Sequence, residues 1–422
     1  MNDILLGCIA DDFTGATDLA NNLVRAGMRV VQTAGVPTAP LDTAADAVVV
    51  SLKSRTIPAA QAAAQSVQAL RWLQTQGVRQ IYFKYCSTFD STAQGNIGPV
   101  TDALMDALGC DFTIATPAFP DVGRTVFKGY LFVGDVLLHE SGMQDHPLTP
   151  MTDPSLVRVL QAQTRHRVGL VDYTVVAQGP EAIRARIAKL RSDGIGIAIV
   201  DAVSNADLMR LGPALADFPL VTAGSGVAIA LPANFGIAPN PRASALPVVR
   251  GSRAVISGSC SRATNAQVAE FIATGRPALA LDPMSLCAGD EAIEHALDWA
   301  RPKLGDAPIL VYSTAAPESL RQVQDQLGVA RAGELVERAL ARVACGLVQA
   351  GVGQLVVAGG ETSGAVVQAL GITQLQIGAQ IDPGVPWCAA KSALADTTLH
   401  VALKSGNFGT PDFFTKAFDR IA

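Results

Sequence analysis

A two-domain α/β fold, each domain a mostly parallel sheet flanked by helices, is expected from three observations. Hydrophobic residues fill 49% of the 422 positions against 16% charged, which is ample for sizeable buried cores. Only 5% of residues are aromatic, so the apolar content lies in Ala, Val, Leu and Ile and suits parallel strands covered on both faces. The chain also repeats one unit, a short β-branched run, a polar loop and an amphipathic helix, which is the alternation of a parallel sheet with crossover helices.

In the first half, strands are predicted at 4–10, 47–52, 81–85, 112–116, 168–171, 195–200 and 220–223, with helices such as 59–75 and 181–191 between them. The longest uncharged stretch, 218–241, could span a bilayer by length. Pro219, Gly224, Gly226, Pro232 and Gly236 interrupt it, so it reads as a strand, a turn and a short helix. Residues 236–251 carry three prolines and no period, and the domain boundary is placed near 245, giving 1–245 and 246–422. Beyond it, strands are predicted at 254–257, 278–281, 309–312 and 355–358, and helices at 265–273, 291–300, 334–350 and 363–370. From 372 the pattern is less regular, with extended runs around Trp387 and His400 and a closing helix at 414–418.

Thirty-two basic against 37 acidic residues give a net charge of −5. No polybasic run occurs, which argues against a duplex nucleic-acid partner. The opening MNDILLGCIADDF has an acidic residue where a secretory signal carries positive charge, and seven scattered cysteines without C-x-x-C spacing suit a reducing compartment; a cytoplasmic protein is expected. Apolar helices leave a homodimer open, and no membrane partner is expected.

Ligands of open α/β sheets bind beyond the carboxyl ends of the strands, so the residues just after each strand carry the functional signal. Strand one delivers Asp11 and Asp12, later strands Lys53 and Arg55, then Lys84, then Arg124. Such cations suit a small anionic molecule, a hydroxy acid being the natural guess, with Arg124 able to grip a carboxylate through two parallel hydrogen bonds. A lone Asp or Lys in such a loop is often only a solvated cap. Two consecutive aspartates ending an apolar strand point to opposite sides, which leaves one partly buried and in need of a cation. The second half places glycines and hydroxyls after its strands: Ser257-Gly258-Ser259, Gly359-Gly360-Glu361-Thr362-Ser363-Gly364 and Lys404-Ser405-Gly406-Asn407-Phe408-Gly409. Glycine lets backbone approach a phosphate, and free amides at a helix start donate to it.

Several readings are disfavoured by absences. Gly-Lys never occurs, so there is no Walker A loop, and neither H-R-D nor D-F-G is present. No G-x-G-x-x-G follows the first strand, which weakens a nicotinamide-dependent hydroxy-acid dehydrogenase, and no H-E-x-x-H supports zinc.

The run Ile9-Ala10-Asp11-Asp12-Phe13-Thr14-Gly15-Ala16-Thr17-Asp18, together with the 359–364 and 404–409 motifs, resembles the four-carbon acid sugar kinase family over essentially the whole chain. Residues 117–126, 129–133 and 146–153 look like its branch acting on 3-oxo-tetronates rather than on threonate or erythronate. The resemblance implies an acid-sugar domain at 1–245 and an ATP-binding domain at 246–422. It further implies phosphorylation of a C4 hydroxyl, with ATP and Mg²⁺ in a cleft between the halves. It puts the nucleotide on Ser257, Ser259, Gly359, Gly360, Glu361, Thr362, Lys404 and Gly406. Asp12 is then the residue expected to orient the attacking hydroxyl or accept its proton. Asp11, Lys53, Arg55, Lys84 and Arg124 are expected to hold the acid sugar. No metal ligand is assigned, and a nucleotide-responsive binding protein stays open as an alternative without turnover.

Overall fold

The computed structural model describes residues 4–38, 41, 44–145, 149–287, 289–315 and 325–421. The chain divides into two compact units, Met1–Ser244 and Ala245–Ala422.

The first unit is built on β1 (Leu6–Ala10), β2 (Val30–Ala34), β3 (Ala47–Ser51), β4 (Gln80–Lys84), β5 (Thr113–Thr116), β9 (Val168–Val171), β10 (Ile197–Val200) and β11 (Leu220–Ala223). Between β5 and β9 lies a small antiparallel sheet of β6 (Arg124–Phe127), β7 (Tyr130–Val133) and β8 (Val136–Leu137). The main strands run in the order β2-β3-β1-β4-β11-β5-β10-β9, and every pairing among them is parallel. Strands β1, β3 and β4 are buried along their whole length, which is why their central residues read as apolar runs. Ala10 is level with both Ser51 and Lys84, and Lys84 with Ala223. The loops after β1, β3, β4 and β11 therefore leave the sheet at one edge.

Two elements of this unit were not expected. Strand β2 was not foreseen because Gln32 and Thr33 break its apolar run. Both are buried and find local partners, Gln32 Nε2 donating to the Phe13 carbonyl and Thr33 Oγ1 to that of Gly35. The antiparallel hairpins from Arg124 to Leu137 were likewise missed. The uncharged stretch gives β11 and then short helical segments of the 3₁₀ type, Gly226–Ala230 and Pro232–Phe235, as expected. No described helix is long and apolar enough to cross a membrane.

The second unit contains β12 (Ser252–Ser257), β13 (Ala278–Ala280), β14 (Ile309–Tyr312), β15 (Val352–Ala358), β16 (Gln374–Asp382), β17 (Val385–Ala390) and β18 (Leu399–Lys404), in the order β13-β14-β12-β15-β18-β17-β16. Pairings are parallel from β13 to β18 and antiparallel for β18-β17 and β17-β16. The tail is thus regular sheet. Trp387, on β17, packs with Phe413, Phe414 and Phe418 of the closing helix Phe413–Asp419, and its Nε1 donates to the Ala417 carbonyl. Ser257 is level with Tyr312 and Ala358, and Ala358 with Lys404, so the glycine-rich loops after β12, β15 and β18 share one sheet edge.

Candidate active site

In the first unit the chain leaves β1 for β2 and β3 on one side and resumes at β4 on the other, so the crevice beyond β1 and β4 is a topological switch point. A charged cluster fills it. Arg55 grips Asp11 through two parallel hydrogen bonds, Nε to Oδ2 at 3.0 Å and Nη2 to Oδ1 at 2.9 Å. Its Nη1 lies 3.4 Å from Asp12 Oδ2 and 3.9 Å from Asp90 Oδ2. Asp12 caps the helix Phe13–Arg25, its Oδ1 accepting from the Gly15 amide at 2.5 Å and from Thr14 Oγ1 at 3.1 Å. Burial pushes the Asp12 carboxyl upward. The Arg55 and Lys84 charges, the Gly15 amide and the Thr14 hydroxyl outweigh it, holding the group below the usual carboxylate range. Lys84 is buried at the end of β4, and a side chain at Gly15 would collide with its Nζ. Glycine at 15 is what lets the ammonium reach the helix start.

Two further groups join this cluster. Arg124, at the start of β6, donates through Nη1 to the Val122 carbonyl, while its buried Nε has no hydrogen-bond partner. Asp18, one and a half turns into the helix, accepts from Ser225 Oγ through Oδ2, and its buried Oδ1 has none. Lys53 follows β3 with its side chain exposed.

The second unit also reverses direction in its sheet, visiting β13 and β14 on one side of β12 before crossing to β15. There a cavity of about 600 Å³ opens, lined by Gly258, Ser259 and Cys260 after β12 and by residues 359–362 after β15. Leu281, Pro283, Tyr312 and Val336 give it an apolar wall. Gly359, at φ +123°, precedes the helix Gly360–Ala369, whose first amides have no partner within the helix. Any side chain at Gly258 would strike Thr362 Oγ1. A glycine-rich helix start and an apolar wall make a receptacle for a phosphate chain attached to a flat ring.

The third loop supports this cradle from behind. The Lys404 ammonium is fully buried and donates to Thr264 Oγ1 and to the Ser405 and Gly406 carbonyls at 3.0 Å, and to that of Phe408 at 3.2 Å. Burial pushes its pKa down to about 7. Lys404 therefore helps to hold its own loop in shape. The Gly406 carbonyl accepts from Ser261 Oγ and Thr264 Oγ1, and a Cβ there would lie 2.5 Å from Ser259 Oγ. Ser257 lies beneath, fully buried, its hydroxyl 2.7 Å from that of Thr314.

Residues 6–231 match the model of a sugar-binding N-terminal domain and residues 254–414 that of a nucleotide-binding C-terminal domain. The chain belongs to the four-carbon acid sugar kinase family. It is 60% identical over 417 residues to a 3-oxo-tetronate kinase of Burkholderia multivorans, covering 98% of this chain and 96% of that one. Identity to the 3-oxo-tetronate kinase of Haemophilus influenzae is 48%, over 98% of this chain and 99% of that one. A crystal structure from Salmonella typhimurium LT2, described as a tRNA synthase, superposes with a TM-score of 0.89 at 44% identity, covering 99% of this chain and 100% of that one.

In this acid sugar kinase, the first unit brings together Asp11, Asp12, Arg55, Lys84 and Arg124 of the residues singled out in the sequence. The second lines one cavity with Ser259, Gly359, Gly360, Glu361 and Thr362. Asp18 and Asp90, which follow β1 and β4, and Ser225, after β11, join this cluster without having been assigned a part in it from the sequence, although a buried Asp within a helix is itself a signal. The apolar wall from the helix Val329–Gln349 was also missed, because Val336 looks like any core position. Of the 146–153 motif, His146, Pro147 and Leu148 lie outside the described residues. Among those described, no three His, Cys, Asp or Glu side chains gather to hold a metal.

Proposed function

We propose that this chain transfers the γ-phosphoryl group of ATP to the C4 hydroxyl of a 3-oxo-tetronate, giving the 4-phosphate and ADP in the breakdown of four-carbon acid sugars. The observation that carries this reading is 60% identity along nearly the full chain to an enzyme named for that activity. The cations of the first unit supply the matching chemistry, because a tetronate carries a carboxylate that Lys84 and Arg124 can neutralise. Asp11 and Arg55 fix the edge on which they stand, and Lys53 adds positive charge at the entrance. Asp12 keeps the start of the helix Phe13–Arg25 in register with Lys84.

The residues 359–362, with Ser259, receive the phosphates. Ser257, Lys404 and Gly406 act on them through loop shape. Magnesium ions usually bind nucleotides through phosphate oxygens and only one or two carboxylates. Glu337 and Glu361, on the cavity lining, are the groups that would hold the ion. Bound there, Mg²⁺ would neutralise phosphate charge. Phosphoryl transfer then requires that the two ligands meet with water excluded. The seven free thiols suit the reducing cytoplasm as the working compartment.

Incubation with ATP or NAD and a panel of four-carbon acids tests the reading. ADP should form with a 3-oxo-tetronate at a kcat/KM at least about tenfold above that for D-threonate or D-erythronate. Equal use of all three acids would reassign the branch, and NADH formation without ADP would favour a dehydrogenase. Arg124→Ala should raise the KM for the acid by about tenfold or more, the value of one charge-assisted contact, and leave the KM for ATP within about twofold. An effect confined to ATP would remove Arg124 from the acid-sugar site.

A further inference from the structure

We infer that Asp18, and not Asp12, receives the proton of the acceptor hydroxyl, with the Arg124 guanidinium holding another oxygen of the same molecule beside it. This rests on the kinase reading above. Asp11 is engaged on both oxygens by Arg55. Asp12 spends Oδ1 on its cap and turns Oδ2 toward Arg55. Asp90 accepts from Thr88 Oγ1 through Oδ1 and faces Arg55 through Oδ2.

Asp18 differs: 4% exposed, it keeps Oδ1 buried without a hydrogen bond. Arg124 Nε is the corresponding unsatisfied donor. The two charges influence each other, yet no hydrogen bond joins them. Leaving such groups unmet in a buried site is unfavourable, because neither water nor protein replaces the lost hydrogen bond. A ligand that offers one O–H and one negatively charged oxygen satisfies both at once, and that is the description of a hydroxy acid. A neutral sugar would answer only Asp18, and an inorganic anion only Arg124.

The surroundings also favour Asp18 as the proton acceptor. Its Oδ2 is fixed by Ser225, whose own carbonyl accepts from Asn22 Nδ2 at 2.8 Å, so the side chain is held rigidly from the loop after β11. The groups facing it are Lys84 and Tyr82 from β4, Arg124 from β6, Ser225, and Asp12 at the head of its own helix. Burial raises its pKa to about 6, against Lys84, Ser225 and Arg124, which lower it; Asp12 adds to the rise. A base whose pKa lies nearer the working pH is more effective than Asp12, which is held below the ordinary range.

In the transfer, the acceptor oxygen bonds to the γ-phosphorus as the bond from that phosphorus to the ADP oxygen breaks. ADP leaves with that electron pair. The hydroxyl proton passes to Asp18 Oδ1 and is lost to solvent after product release.

Asp18→Asn keeps the shape and the hydrogen bond to Ser225. Its kcat should fall by about 100-fold or more, the usual range for loss of a general base, and the residual rate should lose its acidic limb near pH 6. The Kd for ADP should stay within about twofold, which also reports a folded second unit. Ser225→Ala removes a hydrogen bond that lowers the Asp18 pKa, so the acidic limb of kcat should move to higher pH. Turnover by Asp18→Asn within about threefold of the parent, with the acidic limb retained, would overturn the assignment. If Asp18→Asn does not fold, the Ser225→Ala profile decides, and an unmoved limb overturns it. ADP formation by the parent, measured alongside, tests the kinase reading itself. A parent that makes no ADP from any four-carbon acid sinks both, whereas an active parent with an active Asp18→Asn sinks Asp18 alone.

Discussion

Valine at position 359 is expected to abolish ADP binding. Gly359 sits at φ +123°, a backbone region that side chains with a Cβ rarely adopt and β-branched ones least of all. It cannot rotate away, because its amide donates to the Lys404 carbonyl at 2.8 Å and its own carbonyl accepts from Ser363 at 2.9 Å. A Cβ there would lie 2.9 Å from Thr362 Oγ1 and 3.3 Å from the Ser259 amide. The added bulk therefore pushes apart the two loops that line the cavity and displaces the amides offered to phosphate. Calorimetry with ADP should show a Kd at least about 100-fold weaker, equivalent to roughly 2.7 kcal/mol. Gly359→Ala, which has the strain but less bulk, should lose less. A Gly359→Val protein that binds ADP within about threefold of the parent would remove this loop from the nucleotide site.

Most of the sheet was legible because parallel strands buried on both faces announce themselves as unbroken apolar runs, as Ala47-Val48-Val49-Val50 does. Where a buried strand carries polar residues that find local partners, as Gln32 and Thr33 do in β2, the run disappears from the sequence. The hairpin of β6 and β7 is short and only half-buried. It turns at Lys128 and Gly129, both at positive φ, and a lysine in that conformation gives no advance signal. In the tail, the extended runs around Trp387 and His400 are β17 and β18, whereas β16 gave no such signal: Gly378 lies in it, and register shifts on either side of Gln380 interrupt its pairing with β17.

For the site, the loops were visible and the orientations were not. Parallel strands deliver their carboxyl ends to one edge, so listing the residues after each strand found the cluster and the cradle alike. Whether Lys404 faces a ligand or its own loop depends on which carbonyls fold over it. The same holds for Asp12, whose capping bond belongs to the helix start. Tertiary geometry decides these cases, and residue type does not.

Arg55→Ala is expected to produce the largest loss of stability in the first unit, because one guanidinium serves three carboxylates. Asp11 is 6% exposed, and its two hydrogen bonds both come from Arg55. Removing one partner of a buried pair leaves an uncompensated charge and costs about 3–5 kcal/mol. The pH dependence identifies the cause. Asp12 has a folded-state pKa below its ordinary value, so its contribution to stability is present above the unfolded value and is lost as pH falls through the folded one. Without Arg55 the Asp12 pKa rises, because burial then acts against fewer opposing charges. Protonation in mild acid relieves that strain in the variant and gives nothing to the parent. Urea unfolding followed by far-UV circular dichroism should therefore show a gap between parent and Arg55→Ala that is widest at neutral pH and narrows toward about pH 4. Arg55→Lys should recover only part of it, since an ammonium cannot reproduce two parallel hydrogen bonds to Asp11 while facing Asp12 and Asp90. A gap of equal size at both pH values would mean that lost packing, and not the stranded carboxylates, accounts for the effect.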